Sequence, residues 1–220
     1  MAMIGQLNAI SNQAPDEQLI KQIAAGEKEL FEIIIRRYNQ RLYRVGMSVL
    51  GDDQEVEEAM QVAYISAYEH LQQFEYRSAF GTWLTRIMLN QCYKARRDHT
   101  RILPVSQDSE NFINMKTPEN VMASKELSQA LENAIAQLPE KYRLVFVLRE
   151  IEDLSVRETA EIAGIQQSNV KVRLNRAKSM LRESLNSYMK ESIYQFHLSR
   201  CDKMVSFVMD YVGGNAGKNL

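Results

Sequence analysis

The chain has 220 residues, 45% of them hydrophobic and 25% charged, with 27 lysines and arginines against 28 acidic residues. This is the composition of a soluble globular protein of one large or two modest domains. The formal net charge of −1 excludes a protein that coats nucleic acid by bulk electrostatics, so any such binding must come from segregated charge.

Only four prolines and nine glycines occur, and alternating β-branched runs are absent, so the expected fold class is all-α. Cys92 and Cys201 lie far apart and suit a reducing cytosol better than a disulfide framework. The opening MAMIGQLNAISNQ has no basic start and no long apolar core, unlike a secretory signal. No apolar run approaches the length of a membrane span. A cytoplasmic protein with no membrane insertion is expected.

Residues 1 to about 15 read as a flexible lead closed by Pro15. A helix opens at Asp16 and Glu17 and is stopped by Gly26. The next starts near Glu27 and places Leu30, Ile34, Tyr38, Leu42, Val45 and Val49 at helical spacing, as core. Gly51, Asp52 and Asp53 then punctuate the chain before a helix predicted from Gln54 to Leu71. Its opening crowds Asp52, Asp53, Glu55, Glu57 and Glu58 together. Acidic residues suit a helix N-terminus, but this crowding exceeds what capping requires, so helix stabilisation and a protein-binding surface both stand as readings. Val56, Ala59, Met60, Ala63, Ile65, Ala67 and Leu71 are expected to supply its buried side and some adjoining contacts.

Residues 72–79 form a polar loop carrying Phe74 and Tyr76. Phe80 to Trp83 then lead into a helix to about Arg97, which carries Arg86, Asn90, Lys94, Arg96 and Arg97. Aromatics interleaved with cations suit single-stranded nucleic acid, whose bases stack on rings while cations track phosphates. Core packing is the plainer account of Phe80, Trp83, Ile87 and Leu89, and is favoured for Phe80. For the Tyr76–Arg77 loop and the Lys94–Arg97 cluster both readings stay open.

Residues 98–116 are polar, contain Pro104 and lack periodicity, so they read as a flexible linker joining two helical domains. Thr117, Pro118 and Glu119 restart the helical pattern, which continues through Leu127, Leu131, Ile135 and Leu138. A further helix is predicted from Pro139 to Glu150.

The stretch from Leu154 to Arg182 is the most telling. Ser155 and Glu158 form a capping-box pattern, Gly164 is the residue type that ends a helix in the left-handed region, and Ile165 reads as a buried plug. In the helix that follows, Val170, Leu174, Ala177 and Leu181 make one apolar stripe, while Lys171, Arg173, Arg176, Lys178 and Arg182 lie off it. No acidic residue interrupts Ser168 to Arg182. A small Ala160 permits close crossing. This pattern reads as a helix-turn-helix, whose second helix enters the DNA major groove, in preference to an ordinary helical hairpin with a solvated basic face.

Beyond Leu185, His197 and Cys201 stand at i, i+4 with Met204 next, but methionine is a poor zinc ligand and a tetrahedral site needs two more donors. No metal is expected. Phe196, Leu198, Met204, Val205, Val208 and Met209 read instead as a small amphipathic piece that packs on one of the two domains. No glycine-rich phosphate loop or nucleophile elbow appears, so neither an enzyme nor a cofactor is expected.

Over roughly residues 16–190 the sequence resembles an extracytoplasmic-function (ECF) sigma factor of the sigma-70 family. Three segments carry the resemblance in order: EVEEAMQVAYISAY from Glu55, FEYRSAFGTWLTRIMLNQCYKARR from Phe74, and the Leu138–Arg182 segment with its helix-turn-helix. The resemblance implies that Glu55, Glu57, Glu58, Gln61, Tyr64 and Tyr68 dock on core RNA polymerase. It implies that Tyr76, Arg77, Ser78, Trp83, Arg86, Asn90, Lys94 and Arg97 melt and read the −10 element of promoter DNA. Ser168, Asn169, Lys171, Val172, Arg173, Asn175, Arg176 and Lys178 would read the −35 element. Domains of 16–97 and 117–190 follow, with the 98–116 linker between them and a 191–220 extension of unknown role. Sigma factors of this class are commonly held by an anti-sigma factor. Val62 departs from the acidic residue usual after the glutamine, Gln166 and Gln167 stand where a small residue or proline is common, and Val172 puts methyl groups on the DNA-facing side. The alternative is a self-sufficient helix-turn-helix regulator of duplex DNA, which would need a dimerisation or ligand domain in place of the acidic helix.

Overall fold

The structure is a computed structural model that describes residues 14–102, 122–192, 203–206 and 208–209. Among the described residues every regular element is helical. Helix α1, Asp16–Ala24, buries Leu19, Ile20 and Ile23, and Asp16 ties it to the next helix through Arg37 and the Tyr38 hydroxyl. A single tight turn, Lys28–Leu30, follows Gly26 and precedes helix α2, Phe31–Met47. The sequence pattern predicts an uninterrupted start near Glu27. Gly26 instead sits at φ +116, a backbone state open mainly to glycine, and the chain needs the extra turn to re-enter helical register.

Helix α3, Asp53–Glu69, is capped by the Asp52 carboxylate, which accepts from Glu55 N at 3.0 Å. Helix α4, Phe80–Ile102, continues past Arg97, so the first residues of the expected linker are helical. The remainder of the linker, 103–121, lies outside the described residues. Helices α2, α3 and α4 share one core built on Ile34, Leu42, Val45, Val56, Ala63, Leu84 and Met88, all fully buried. Gly46 lets α2 and α3 touch: a Cβ there would stand 2.6 Å from Val56 Cγ1 and 2.8 Å from Met88 Cε.

Helix α5, Met122–Ala136, and helix α6, Glu140–Phe146, follow, the latter opening on Pro139. A regular helix to Glu150 is the sequence expectation. The backbone widens instead into a π-turn over Val147–Ile151, where Glu152 N donates to Val147 O at 3.0 Å and Leu154 N to Leu148 O at 3.0 Å. Asp153 completes the turn at φ 51, a left-handed state that Asp tolerates better than most residues.

Helix α7, Val156–Ala163, carries the full capping box between Ser155 and Glu158 and ends at Gly164 with φ 64. Helix α8, Gln167–Ser192, completes the helix-turn-helix. Val145, Ala160 and Val170 form its small core, with Val156, Ile165 and Leu174 packed against them. Ile165 is half-buried rather than a sealed plug. The described residues up to Leu181 fall in one compact unit, and those from Arg182 onward in a second. His197 and Cys201 lie outside the described residues. Met204, Val205, Val208 and Met209, in the second unit, are exposed.

Candidate nucleic-acid interface

Three surfaces carry the residues singled out by the sequence. On α3, Glu57, Glu58 and Gln61 are exposed and Glu55 is half-buried, so the acidic opening does present a face. Tyr64 does not join it. Its ring is 7% exposed and its hydroxyl reaches Ile35 O and Asn39 Oδ1 on α2, while burial pushes the phenol well above its usual pKa. Tyr68 is half-buried, edge-on to Phe31 at 5.2 Å. The aromatics of this segment therefore anchor the helix. Its apolar exposure comes instead from Val62 and Ile65, at 48% and 60%. Ile65 falls outside the expected buried side because it sits three residues from Val62, on the same outward face.

The second surface begins at the loop before α4. Phe74 is buried and forms the hub of an aromatic cluster, with ring centroids 4.7 Å from Tyr76, 5.5 Å from Phe80 and 5.3 Å from Trp83. Phe80 is core, as the plainer reading holds. Tyr76 projects outward with φ 56. A non-glycine residue held there costs on the order of 1–3 kcal/mol, and such strain clusters at ligand clamps. Lys21 of α1 lies 5.9 Å from the Tyr76 ring, a neighbour that its position far upstream conceals in the sequence. Arg77 is exposed beside Glu75 at 2.6 Å, and Ser78 is half-buried.

Along α4, Trp83, Arg86, Asn90, Lys94 and Arg97 step by three or four residues and so share one face. Arg86, Asn90, Lys94 and Arg97 are exposed, and Trp83 is half-buried. An aromatic ledge thus runs into a polar and cationic track, the arrangement that stacks unpaired bases and follows phosphates.

The third surface is α8. Val170, Ala177 and Leu181 are buried, which turns Ser168, Asn169, Lys171, Val172, Asn175, Arg176 and Lys178 outward. Arg173 is half-buried. Arg176 Nη1 donates to the Tyr142 hydroxyl at 3.2 Å and Lys178 Nζ pairs with Glu150 at 2.8 Å. Both hold α8 to α6 and its π-turn as well as facing solvent.

Family profiles agree with this layout. The profile described as Sigma-70 region 2 matches residues 34–102, and that described as Sigma-70, region 4 matches residues 128–181. The chain is 33% identical over 176 residues to the ECF RNA polymerase sigma factor SigW of Bacillus subtilis, spanning 76% of this chain and 94% of that one. The chain belongs to the ECF sigma factors. It is also 31% identical over 182 residues to the ECF RNA polymerase sigma-E factor of Escherichia coli K12, covering 78% of this chain and 95% of that one.

Solved structures share the fold of this sigma factor. A sigma factor RpoE from Bartonella quintana, in complex with the anti-sigma factor NepR, superimposes with a TM-score of 0.59 at 24% identity, over 71% of this chain and 96% of that one. CnrH in complex with the cytosolic domain of CnrY gives 0.58 at 23%, over 78% and 97%. In the sigma factor's own terms, the region 2 match falls on α2 to α4 and the region 4 match on α5 to α8. Among the described residues no helix is long and apolar enough to cross a membrane.

Proposed function

We propose that this sigma factor divides its work among the three surfaces, with the exposed part of α3 docking on core RNA polymerase. Glu57, Glu58 and Gln61 supply polar contacts there, with Glu55 at the rim, and Val62 and Ile65 supply the apolar centre that drives association. Tyr64 and Tyr68 hold the helix in place from behind. The Tyr76–Ser78 loop accepts a base drawn from the melted −10 strand; extrusion costs a few kcal/mol, which a fitted pocket recovers. Trp83, Arg86, Asn90, Lys94 and Arg97 carry the strand onward.

The exposed residues of α8, from Ser168 to Lys178, enter the major groove at the −35 element. Lys and Arg contact phosphates there, and Asn175, Asn169 and Val172 meet base edges. The protein performs no chemistry itself and acts in the cytoplasm, where an anti-sigma factor restrains it. The observation that carries the reading is the order of surfaces along one chain: an acidic, apolar-centred helix, then an aromatic and cationic helix, then a basic helix-turn-helix.

Run-off transcription tests it. Purified core polymerase and this chain, on a library of promoter-bearing fragments, should give specific start sites that neither component gives alone. Start sites unchanged on adding the chain would overturn the reading.

A further inference from the structure

Helix α1 lies upstream of the region 2 match at residues 34–102, yet it is fixed to the body of that region. Leu19, Ile20 and Ile23 share a core with Phe74, and α1 packs on the turn Leu71–Gln73 that leads into the Tyr76 loop. Its first turn is held by Arg37, which pairs with Asp16 and donates from Nη2 to Ala14 O at 2.9 Å. A helix anchored in this way presents its outward side chains at defined positions.

Lys21 is one of them. It is exposed, and its Nζ stands over the Tyr76 ring, 5.9 Å from the centroid. Glu17 lies four residues before it, at the spacing of a helical ion pair, but among the described residues no carboxylate pairs with Lys21. The loop's own cation, Arg77, is committed to Glu75 at 2.6 Å.

We infer that Lys21 completes the base-accepting site: the unpaired base stacks on Tyr76, and Lys21 neutralises the phosphate of the same nucleotide. The inference deepens the −10 reading above and rests on it. The Tyr76 ring is 42% exposed, backed by Phe74 at 4.7 Å and held at φ 56, so it offers a base a fixed stacking face. A nucleotide drawn out of the stack brings its phosphate with it, and Arg77 is already paired. An ammonium over an exposed ring is weakly held, and the flexible lysine stem lets the charge move off the ring as a base arrives. With Pro15, Glu17, Gln18 and Gln22, Lys21 borders a hollow that is open to solvent, which leaves a strand room to approach. The Glu17 carboxylate in that hollow repels a phosphate and so favours the Tyr76 side of Lys21.

The test uses the holoenzyme with core polymerase and a promoter from the run-off library, as a fragment whose non-template −10 strand is unpaired. Lys21→Ala should lower the salt slope of binding by about 0.7, one phosphate contact to a single strand, which at about 0.1 M salt is an about fivefold loss of affinity. Lys21→Arg should recover most of it, and both variants should melt at the wild-type temperature. Neutral methylphosphonates placed one at a time along the −10 strand locate the contact: at one position wild type and Lys21→Ala should bind alike. Equal affinity and slope in wild type and Lys21→Ala overturn the inference. So does a loss that no single methylphosphonate abolishes, because that marks diffuse attraction. A wild-type holoenzyme that binds this fragment and one with a scrambled −10 strand alike strikes the −10 reading itself, and the Lys21 contact with it. A sequence-selective wild type with silent Lys21 variants strikes the contact alone.

Discussion

The Tyr64 hydroxyl lies 3.1 Å from Ile35 O and 3.0 Å from Asn39 Oδ1, two acceptors for its single proton, on the helix that packs behind α3. That relationship separates anchoring from the proposed docking within one segment. Tyr64→Phe leaves both acceptors without this donor and should cost about 1–2 kcal/mol, read as a lowered melting temperature. At a temperature where the variant stays folded, its affinity for core polymerase should match the wild type. Glu57→Lys with Glu58→Lys should do the reverse, leaving melting nearly unchanged and weakening polymerase binding several-fold. Equal loss of binding in Tyr64→Phe would return that residue to the docking surface.

Gly46 offers a test of the core. Alanine in a helix is favoured over glycine by about 1 kcal/mol, so Gly46→Ala should stabilise if propensity alone decided. Its Cβ, however, would sit 2.6 Å from Val56 Cγ1, and Val56 is stiff and fully buried. Overpacking of this kind costs about 1–3 kcal/mol. A net loss of about 1 kcal/mol is expected in chemical denaturation of the variant.

Much of this was legible in the residues. Ser155, Glu158 and Gly164 announce α7 because capping and a left-handed stop are local chemistry, and the spacing of Val170, Ala177 and Leu181 states which side of α8 faces inward. Other features depend on contacts distant in sequence. Tyr64 looks like a surface aromatic until Ile35 and Asn39 are placed behind it. Ile65 looks like core because periodicity registers hydrophobicity and not which face lacks a partner. The ion pairs of Glu152 with Arg41 and Arg44 are invisible in sequence, because an isolated acid gives no sign of two arginines more than a hundred positions upstream. The π-turn that leads to Glu152 breaks the regular period on which helix prediction relies.

The capping box should set an acid limit on region 4. Hydrogen bonds from Ser155, and then from Thr82, outweigh burial and hold the Glu158 carboxyl below its usual value of 4.5. A depressed carboxylate stabilises the fold fully above its unfolded pKa, and that contribution fades as pH falls through the folded value. Stability of the wild type should therefore decline from about pH 5 downward. Glu158→Gln, which keeps the geometry without the charge, should show a flatter decline in the same window. Ser155→Ala should cost about 1 kcal/mol at neutral pH. Parallel acid profiles for wild type and Glu158→Gln would show that other carboxylates govern the loss.

Cys92 is fully buried in the region 2 core, and burial pushes its thiol up to about 12. The thiolate is the reactive species, so in a Cys201→Ser background the native protein should resist thiol reagents at pH 8 and react fully once denatured. The same shift has a stability consequence. A thiol kept protonated by the fold stabilises it below the unfolded pKa near 9, and that contribution is lost as pH climbs from there toward 12. Rapid native labelling at pH 8 would mean that the α2–α3–α4 core opens far more readily than its packing suggests.

The proposed recognition helix, α8, permits a test that separates reading a base from holding a phosphate. Val172 is 50% exposed on the outward side of α8, next to exposed Lys171. An apolar side chain in the major groove can distinguish only the thymine methyl. Selection of −35 sequences by the holoenzyme should therefore show a thymine preference that Val172→Ala reduces by roughly fourfold, the equivalent of about 0.8 kcal/mol for a buried methylene-sized contact. Val172→Thr, which retains one methyl, should keep part of it. Lys171→Ala should weaken all −35 sequences alike and lower the salt dependence of binding by about one phosphate contact. A Val172→Ala variant that loses affinity evenly across sequences would place Val172 against the backbone, and the base-reading role would pass to Asn169 and Asn175, whose amides suit adenine.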